Sequence, residues 1–379
     1  MAEQGYWAAL LGSPETKRKM YLEHAAGQMG LHVLFIGWDE WTERFWDEWL
    51  ARHGTQGMVK IDPPRWDSAE LSELPVLMDT YHRRLHVLDE LSKTYGIRFL
   101  NHPRDIAALL DKRACKARLS RAKLPVTEEL CGENPLPAYS GIKTAEELLE
   151  QMHMLHMHQV FIKPNYGSGA LGVTAFRQHP KNGRMMLYTC AAFAPDSRRL
   201  VNTKRLQCID RRQEAVEMLN HLLKLDCIVE RWYAKAEHDG CTYDLRAVVQ
   251  DGQTDFLLAR LSKGPITNLQ LNNHPLLARE LGLPDSVLAS VETLCRDAVG
   301  LYPGLRSAGI DILLEKGSLR PRIIEMNGQG DLIYQDIYHE NRIYTHQARM
   351  LAEGFVSTLE NSPAPIFVAD FPPEAPKFN

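Results

Sequence analysis

Two stretches of this sequence bring together residue types that bind phosphate and residue types that bind a hard cation. The first runs Phe161-Ile162-Lys163-Pro164-Asn165-Tyr166-Gly167-Ser168-Gly169-Ala170-Leu171-Gly172-Val173. Gly167, Gly169 and Gly172 satisfy a G-x-G-x-x-G spacing, but a dinucleotide fingerprint needs a strand before the glycines and a helix after them. Here Val173-Thr174-Ala175-Phe176 follow, and these residues favour a strand. The loop is therefore read as joining two antiparallel strands. Glycines remove the side chains that keep backbone N–H groups away from phosphates. Lys163, on the incoming strand, is placed to reach phosphate oxygens. A Walker A spacing is absent. An ordinary glycine-rich hairpin beside a solvated lysine is the competing reading.

The second stretch is Gly309-Ile310-Asp311-Ile312-Leu313-Leu314, a polar turn from Glu315 to Arg320, then Pro321-Arg322-Ile323-Ile324-Glu325-Met326-Asn327. Two apolar runs around a turn with a glycine predict a hairpin. With the turn centred near Ser318, Asp311 falls opposite Glu325. Glu325 and Asn327, two apart on a strand, share a face. Three oxygen ligands would then converge while leaving positions for water and phosphate, the usual way of holding Mg²⁺ beside ATP. The alternative is a pair of strands with scattered polar residues. It is disfavoured because an unpartnered carboxylate in an apolar run is costly. A one-residue slip would break the arrangement.

These residues need elements to hold them. From residue 1 to about 102, apolar strand-like runs (Tyr6–Leu11, His32–Ile36, Met58–Ile61, Ile97–Leu100) alternate with helical stretches (Glu15–Met29, Thr42–Arg52, Asp79–Thr94). Alternation of this kind predicts a parallel sheet with helices on its faces. Ser13 and Pro14 suit the cap and first position of the first helix. Pro103 to Lys123 reads as a helix pair or one long helix. Thr144 with Glu147 forms a capping box before a helix that reaches His156. A strand follows at Val160–Lys163, and the pattern then turns to antiparallel strands, with helices near 212–224 and 284–299. The dense tryptophans Trp38, Trp41, Trp46 and Trp49 are read as core or interface. His153, His156 and His158 are read as a packed helix end rather than a metal site.

Composition narrows the function. The chain has 379 residues, 44% of them hydrophobic and 24% charged, which suits a folded protein of two or three domains. Its 44 Lys+Arg against 48 Asp+Glu give a formal charge of -4, so no global basic excess points to nucleic acid. No long uncharged apolar run predicts a membrane span, and the start lacks the pattern of a signal peptide. Seven cysteines without paired spacing suit reduced thiols. The expectation is a cytoplasmic protein.

Taken together, Lys112, Lys163, the glycine loop and Asp311…Glu325-Met326-Asn327, in this order and spacing, resemble the ATP-grasp superfamily. The likeness is to its carboxylate–amine ligases, which include the ribosomal-protein glutamate ligases, glutathione synthetase and D-alanine–D-alanine ligase. It covers roughly residues 95 to 345. It implies an α/β and α+β architecture: a Rossmann-like pre-ATP-grasp domain (1–102), a small subdomain with the central lysine and glycine loop (103–229), a large subdomain with the adenine linker and metal hairpin (230–355), and a tail (356–379).

By the same resemblance, Lys112 and Lys163 would contact ATP phosphates, and Gly167, Ser168 and Gly169 would belong to the loop closing over them. Glu230 would accept from the adenine amine or ribose region, and the backbone of Trp232 and Tyr233 would bond the ring edge. Asp244 would take the ribose hydroxyls, with Glu237 as competitor. Arg246 would face the phosphate or acyl phosphate, and Arg260 would stabilise the transferred phosphate. Asp311, Glu325 and Asn327 would hold Mg²⁺, with Mn²⁺ as an alternative. The implied activity is amide formation between a carboxylate and an amine, each on a small molecule or peptide, through an acyl phosphate. A kinase acting on a hydroxyl and a non-catalytic nucleotide-binding module are the alternatives. Around 328–331 and 234–242 the chain departs from the family pattern, so no known substrate is carried over.

Overall fold

The computed structural model describes residues 5–42, 44–65, 70–130, 141–167, 171–195, 198–271, 273–329 and 340–359. Among them, three sheets carry the architecture. The first is parallel, in the order β2 (Val33–Gly37), β1 (Trp7–Gly12), β3 (Gly57–Ile61), β4 (Arg98–Phe99). All six residues of β1 and all five of β3 are buried. That is the expected state of apolar strands covered on both faces.

The connecting helices are α1 (Lys17–Gln28), α2 (Phe45–His53) and α3 (Leu74–Tyr95). The first starts later than the sequence suggested, because Thr16 is the residue whose hydroxyl accepts from Lys19 N–H at its N-terminus. Ser13 instead accepts from Arg65 N–H at 2.9 Å, tying the exit of β1 to the segment after β3. The third begins five residues before the expected Asp79, with a proline in its first turn. Leu74, Met78, Tyr81, Leu85 and Leu88 supply its buried stripe, and Gly96 ends it in the left-handed region at φ 73°. Trp38 and Trp46 are buried, and Trp41 and Trp49 pack against the same core.

The Pro103–Lys123 segment is a helix pair, α4 (Pro103–Leu110) and α5 (Lys112–Arg121), split by Asp111, which caps the second helix through Ala114 N–H. Helix α6 (Ala145–Met154) carries the reciprocal Thr144–Glu147 capping box. The second sheet is antiparallel, in the order β8 (Leu200–Ile209), β7 (Met185–Phe193), β6 (Thr174–Gln178), β5 (Gln159–Pro164), β9 (Cys227–Arg231). The glycine loop joins β5 to β6, an antiparallel pair, so no helix follows it. Helices α6 and α7 (Arg212–Leu222) share the core beneath this sheet.

The third sheet has six strands: β13 (His274–Leu277), β12 (Gln253–Ser262), β11 (Cys241–Gln250), β14 (Ser307–Leu314) and β15 (Pro321–Asn327) in that order, with β10 (Glu237–His238) beside β11. Its core is closed by α8 (Asp285–Gly300), together with Leu109, Cys115 and Leu119 from α4 and α5. Those helices thus pack against the third sheet, and β9 runs past residue 230 into Arg231, so the expected border at 229/230 falls inside a strand. Helix α9 (Arg342–Leu359) extends beyond the expected start of the tail, and residues 360–379 lie outside the described residues. Its Tyr344 stacks on Tyr21 at 5.8 Å, and Leu10 of β1 shares one core with Val248 and Leu258 of the third sheet. No described helix is long and apolar enough to cross a membrane.

Trp7 fixes how closely β1 and β3 approach at their start. A Cβ on Gly57 would stand 2.1 Å from the Trp7 ring, which is itself held by its Nε1 donating to Gly54 O at 3.1 Å. Gly57→Ala is expected to lower stability by about 1–3 kcal/mol, since a packed indole must move. Urea denaturation of the variant checks it, and an unchanged midpoint would show that the ring shifts without cost.

Candidate active site

The β14–β15 hairpin has the register that its turn implied. Asp311 lies opposite Glu325 and Gly309 opposite Asn327. Between Asp311 and Ile312 the register steps by one, so Ile312 faces Ile323 and Ile324 is the extra residue of a bulge. As a result, two consecutive residues, Ile324 and Glu325, both line the adjoining cleft.

Asp311 does not stand alone. Arg246 Nε, from β11, donates to Asp311 Oδ1, and Arg260 Nη2, from β12, lies 3.1 Å from Asp311 Oδ2. Arg260 Nε also donates to Asp244 Oδ1 at 2.7 Å. Thr267 donates its hydroxyl to Asp244 Oδ2, while Lys235 Nζ lies 3.6 Å from that oxygen and donates to Thr267 Oγ1 at 2.8 Å. Burial alone would raise both carboxyls. The guanidiniums of Arg246 and Arg260 outweigh it at Asp311 and hold it well below the usual carboxylate range; Arg260 and Lys235 do the same for Asp244. Gly309 makes room for this: a Cβ there would stand 3.2 Å from Arg246 Nη1.

A second charged knot sits on the five-stranded sheet. Glu230 of β9 is 1% exposed. Lys116 Nζ lies 2.6 Å from its Oε1 and Lys163 Nζ 2.8 Å from its Oε2, and Thr127 Oγ1 donates to Oε2 at 3.0 Å. Burial pushes Glu230 up, but the two ammoniums prevail and bring it down to about 2. Burial also lowers the Lys116 and Lys235 ammoniums, against the pull of Glu230 and Asp244 respectively.

Lys112 reaches from α5 to the end of β5 and to the β14–β15 hairpin. Its Nζ donates to Gly167 O in the glycine loop and lies 3.7 Å from Glu325 Oε1. The start of α5 is fastened to the end of β5 by Asn165, which is 1% exposed: its carbonyl accepts from Lys112 N–H at 3.3 Å and its Oδ1 from Arg113 N–H at 3.0 Å. Gly167 and Gly172 adopt φ of 109° and 63°, values that favour glycine.

A cleft open to solvent lies between the second and third sheets, with about 690 Å³ of space counted out to its mouth. Lys163 and Glu230 face it from one sheet, Asp244, Arg260, Asp311 and Glu325 from the other. The cleft wall carries Lys163, Arg231, Lys235 and Arg260 beside Glu230, Asp244, Asp311 and Glu325, while Lys112, Lys116 and Arg246 meet three of those acids from outside its lining.

Several sequence-based expectations change. Glu237 does not reach the cleft: it is exposed on β10 and pairs with Lys316 at 2.6 Å, so only Asp244 remains of that pair of candidates. The backbone of Trp232 is already engaged, its N–H donating to Gln159 O at 3.3 Å and its C=O accepting from Gln159 Nε2 at 3.0 Å. Tyr233 does line the cleft, with the Arg322 guanidinium 4.6 Å from its ring centre. Glu230 acts here as counterion to two lysines rather than as an open acceptor. Ser168 and Gly169 lie outside the described residues. Lys116, Thr127, Asn165, Lys235 and Thr267 were not anticipated. Lys116 was findable, since it follows Lys112 by four residues and so shares its helix face.

Replacing Glu230 tests the knot. Glu230→Gln leaves two buried ammoniums without their carboxylate and is expected to cost about 3–5 kcal/mol at neutral pH. Because the folded-state value is depressed, the carboxylate's contribution is complete above the ordinary range near ~4.3 and disappears as pH falls to about 2. Urea titrations across that window should show the variant's stability falling less steeply, by up to roughly 1.4 kcal/mol per pH unit. Parallel profiles would remove the assignment.

No family model and no curated protein sequence matches the chain. Solved structures do. The macrocyclase MdnC of Microcystis aeruginosa MRC, bound with precursor peptide MdnA, superposes with a TM-score of 0.55 at 12% identity, covering 91% of this chain and 99% of that one. A RiPP-associated ATP-grasp ligase of Chryseobacterium gregarium, in complex with ADP and a leader and core peptide, gives 0.55 at 12% identity over 92% of this chain and 97% of that one. The ATP-grasp ligase PsnB, complexed with minimal precursor, Mg and ADP, gives 0.52 at 14% identity over 92% and 98%. At such identities the likeness speaks to architecture, and it extends over nearly the whole of each chain: this protein has the ATP-grasp fold.

Proposed function

We propose that this protein is an ATP- and Mg²⁺-dependent ligase that joins a carboxylate to an amine through an acyl phosphate, releasing ADP and phosphate. The observation that carries the reading is the cleft itself, where Lys163, Lys235 and Arg260 and a facing pair of acids, Asp311 and Glu325, border one space between two sheets. The solved relatives with this fold support it, since PsnB is complexed with Mg and ADP and MdnC with a precursor peptide. Of the substrates, a peptide or a small molecule is the expected class.

The donor set suits Mg²⁺. Asp311 is kept ionised by Arg246 and Arg260, Glu325 lies opposite it, and Asn327 follows on the same face of β15. When bound, the cation would offset negative charge on the transferring phosphates. The chain's own groups do the rest. Lys163 and Lys112 offer ammoniums to phosphate oxygens, and Gly167 and Gly172, at positive φ and without side chains, leave room for backbone to approach them. Arg260, fixed through Asp244 and Asp311, presents a guanidinium that needs no reorganisation when charge develops. Arg246 holds Asp311 in place. Positioning and charge complementarity suffice for this chemistry, which calls for no covalent nucleophile on the protein. Asp244 and Tyr233 are the proposed contacts for ribose and base. We also read residues 1–102, 103–229 and 230–355 as a pre-ATP-grasp domain and two subdomains, with the second border displaced to the end of β9.

Incubation with ATP, Mg²⁺ and candidate acceptors, followed by mass spectrometry, should show free phosphate released in step with ADP. A phosphorylated product without free phosphate would instead assign a kinase. Glu325→Gln is expected to lower ADP formation by roughly a hundredfold or more while leaving the fold intact. Retained turnover would exclude Glu325 as a metal ligand.

A further inference from the structure

Lys116 and Lys163 meet the same carboxylate, yet they are not equivalent. Lys116 comes from α5, and its Nζ has three acceptors around it. It donates to Thr127 O at 3.0 Å and to Thr127 Oγ1, and it lies 2.6 Å from Glu230 Oε1. An ammonium has three donors, so the acceptors here match the donors in number. Lys116 is 6% exposed and stands outside the lining of the cleft. Lys163 lines the cleft, and among the described residues its Nζ has one acceptor, Glu230 Oε2 at 2.8 Å. Its other N–H groups remain for a ligand.

Thr127 holds this division in place. Its hydroxyl accepts from Lys116 and donates to Glu230 Oε2 at 3.0 Å. Its backbone N–H donates to Ile323 O at 3.0 Å, which ties it to β15. The carbonyl and hydroxyl that receive Lys116 are therefore fixed by a strand of the third sheet, while the carboxylate belongs to the second.

The charges of the set decide what the cleft meets. Two ammoniums and one carboxylate leave one net positive charge, and Lys163 is the cation of the set that faces the cleft. Without Lys116 the sum is zero: Glu230 offsets Lys163 completely, and its freed Oε1 competes for the same ammonium. In a shielded place the effective dielectric is well below that of water, so a charge removed a few ångströms behind the wall is still felt at it. We propose that Lys116 is a positioning residue for nucleotide binding, which neutralises Glu230 from behind the cleft wall and so leaves the Lys163 ammonium available to phosphate oxygens. The proposal rests on the reading of the cleft as an ATP site and adds to it a residue that does not touch the ligand.

Calorimetric titration of the full chain with ADP and Mg²⁺, and separately with adenosine, tests it. Lys116→Met should weaken ADP about tenfold or more, and adenosine, which has no phosphates, by no more than about twofold. Adding Glu230→Gln to that variant returns the sum to one positive charge and should restore most of the lost ADP affinity, although two native side chains are then missing. Lys116→Gln, whose amide can still donate to Thr127 O, removes the charge with less loss of contact and covers the case in which the methionine variant does not fold. Equal losses for ADP and adenosine would assign Lys116 to stability alone and overturn the proposal. So would unchanged ADP affinity in both single variants, or a double variant that binds ADP as weakly as Lys116→Met. If the unaltered protein binds no ADP, the nucleotide reading of the cleft falls, and this inference with it.

Discussion

A carboxylate withdrawn from water must be met by cations or give up its charge, and three are withdrawn here in one neighbourhood. Glu230, Asp244 and Asp311 are each 8% exposed or less. Each is answered from a different element: Glu230 of β9 by β5 and α5, Asp311 of β14 by β11 and β12, Asp244 of β11 by β12 and by Lys235 of the linker. Such pairs add little net stability, because desolvation cancels much of the attraction. What they do is dictate placement. A strand displaced by one residue would turn its charge away from its partners, so the register of both antiparallel sheets is tied to the integrity of the cleft.

Each of these three acids has two cationic neighbours, and Arg260 serves two of them at once. Lys112 stands 3.7 Å from Glu325 and donates to Gly167 O, where α5, the end of β5 and the β14–β15 hairpin come together. Asn165 matters for that reason. By holding two backbone N–H groups at the start of α5, it sets where the Lys112 stem begins, and through it how far the ammonium reaches.

Much of this was legible in the sequence, for local reasons. The Asp311–Glu325 register follows from counting outward from a glycine-bearing turn. The Thr144–Glu147 box is a contact between residues three apart, and the antiparallel loop follows from the strand-forming residues after Gly172. What escaped depends on the chain far away. Ser13 lost its capping role because Arg65 N–H, fifty-two positions on, claimed its hydroxyl. Glu230 reads as an acceptor for a ligand until Lys116 and Lys163 are seen on either side of it. Trp232 reads as an open backbone until Gln159 occupies both of its polar groups. Lys235 sits in an irregular linker, where no periodicity indicates which way a side chain turns.

The extra residue at Ile324 separates the hairpin into two stretches whose pleats are counted independently. The inner stretch, with Asp311, Glu325 and Asn327, takes its phase from its own ladder to Gly309; the outer one ends in the Glu315–Arg320 loop. Lengthening or rebuilding that loop therefore leaves the orientation of the acids untouched. In evolution or in the laboratory, the tip of this hairpin is a place where insertions can be explored at little cost to the chemistry behind it.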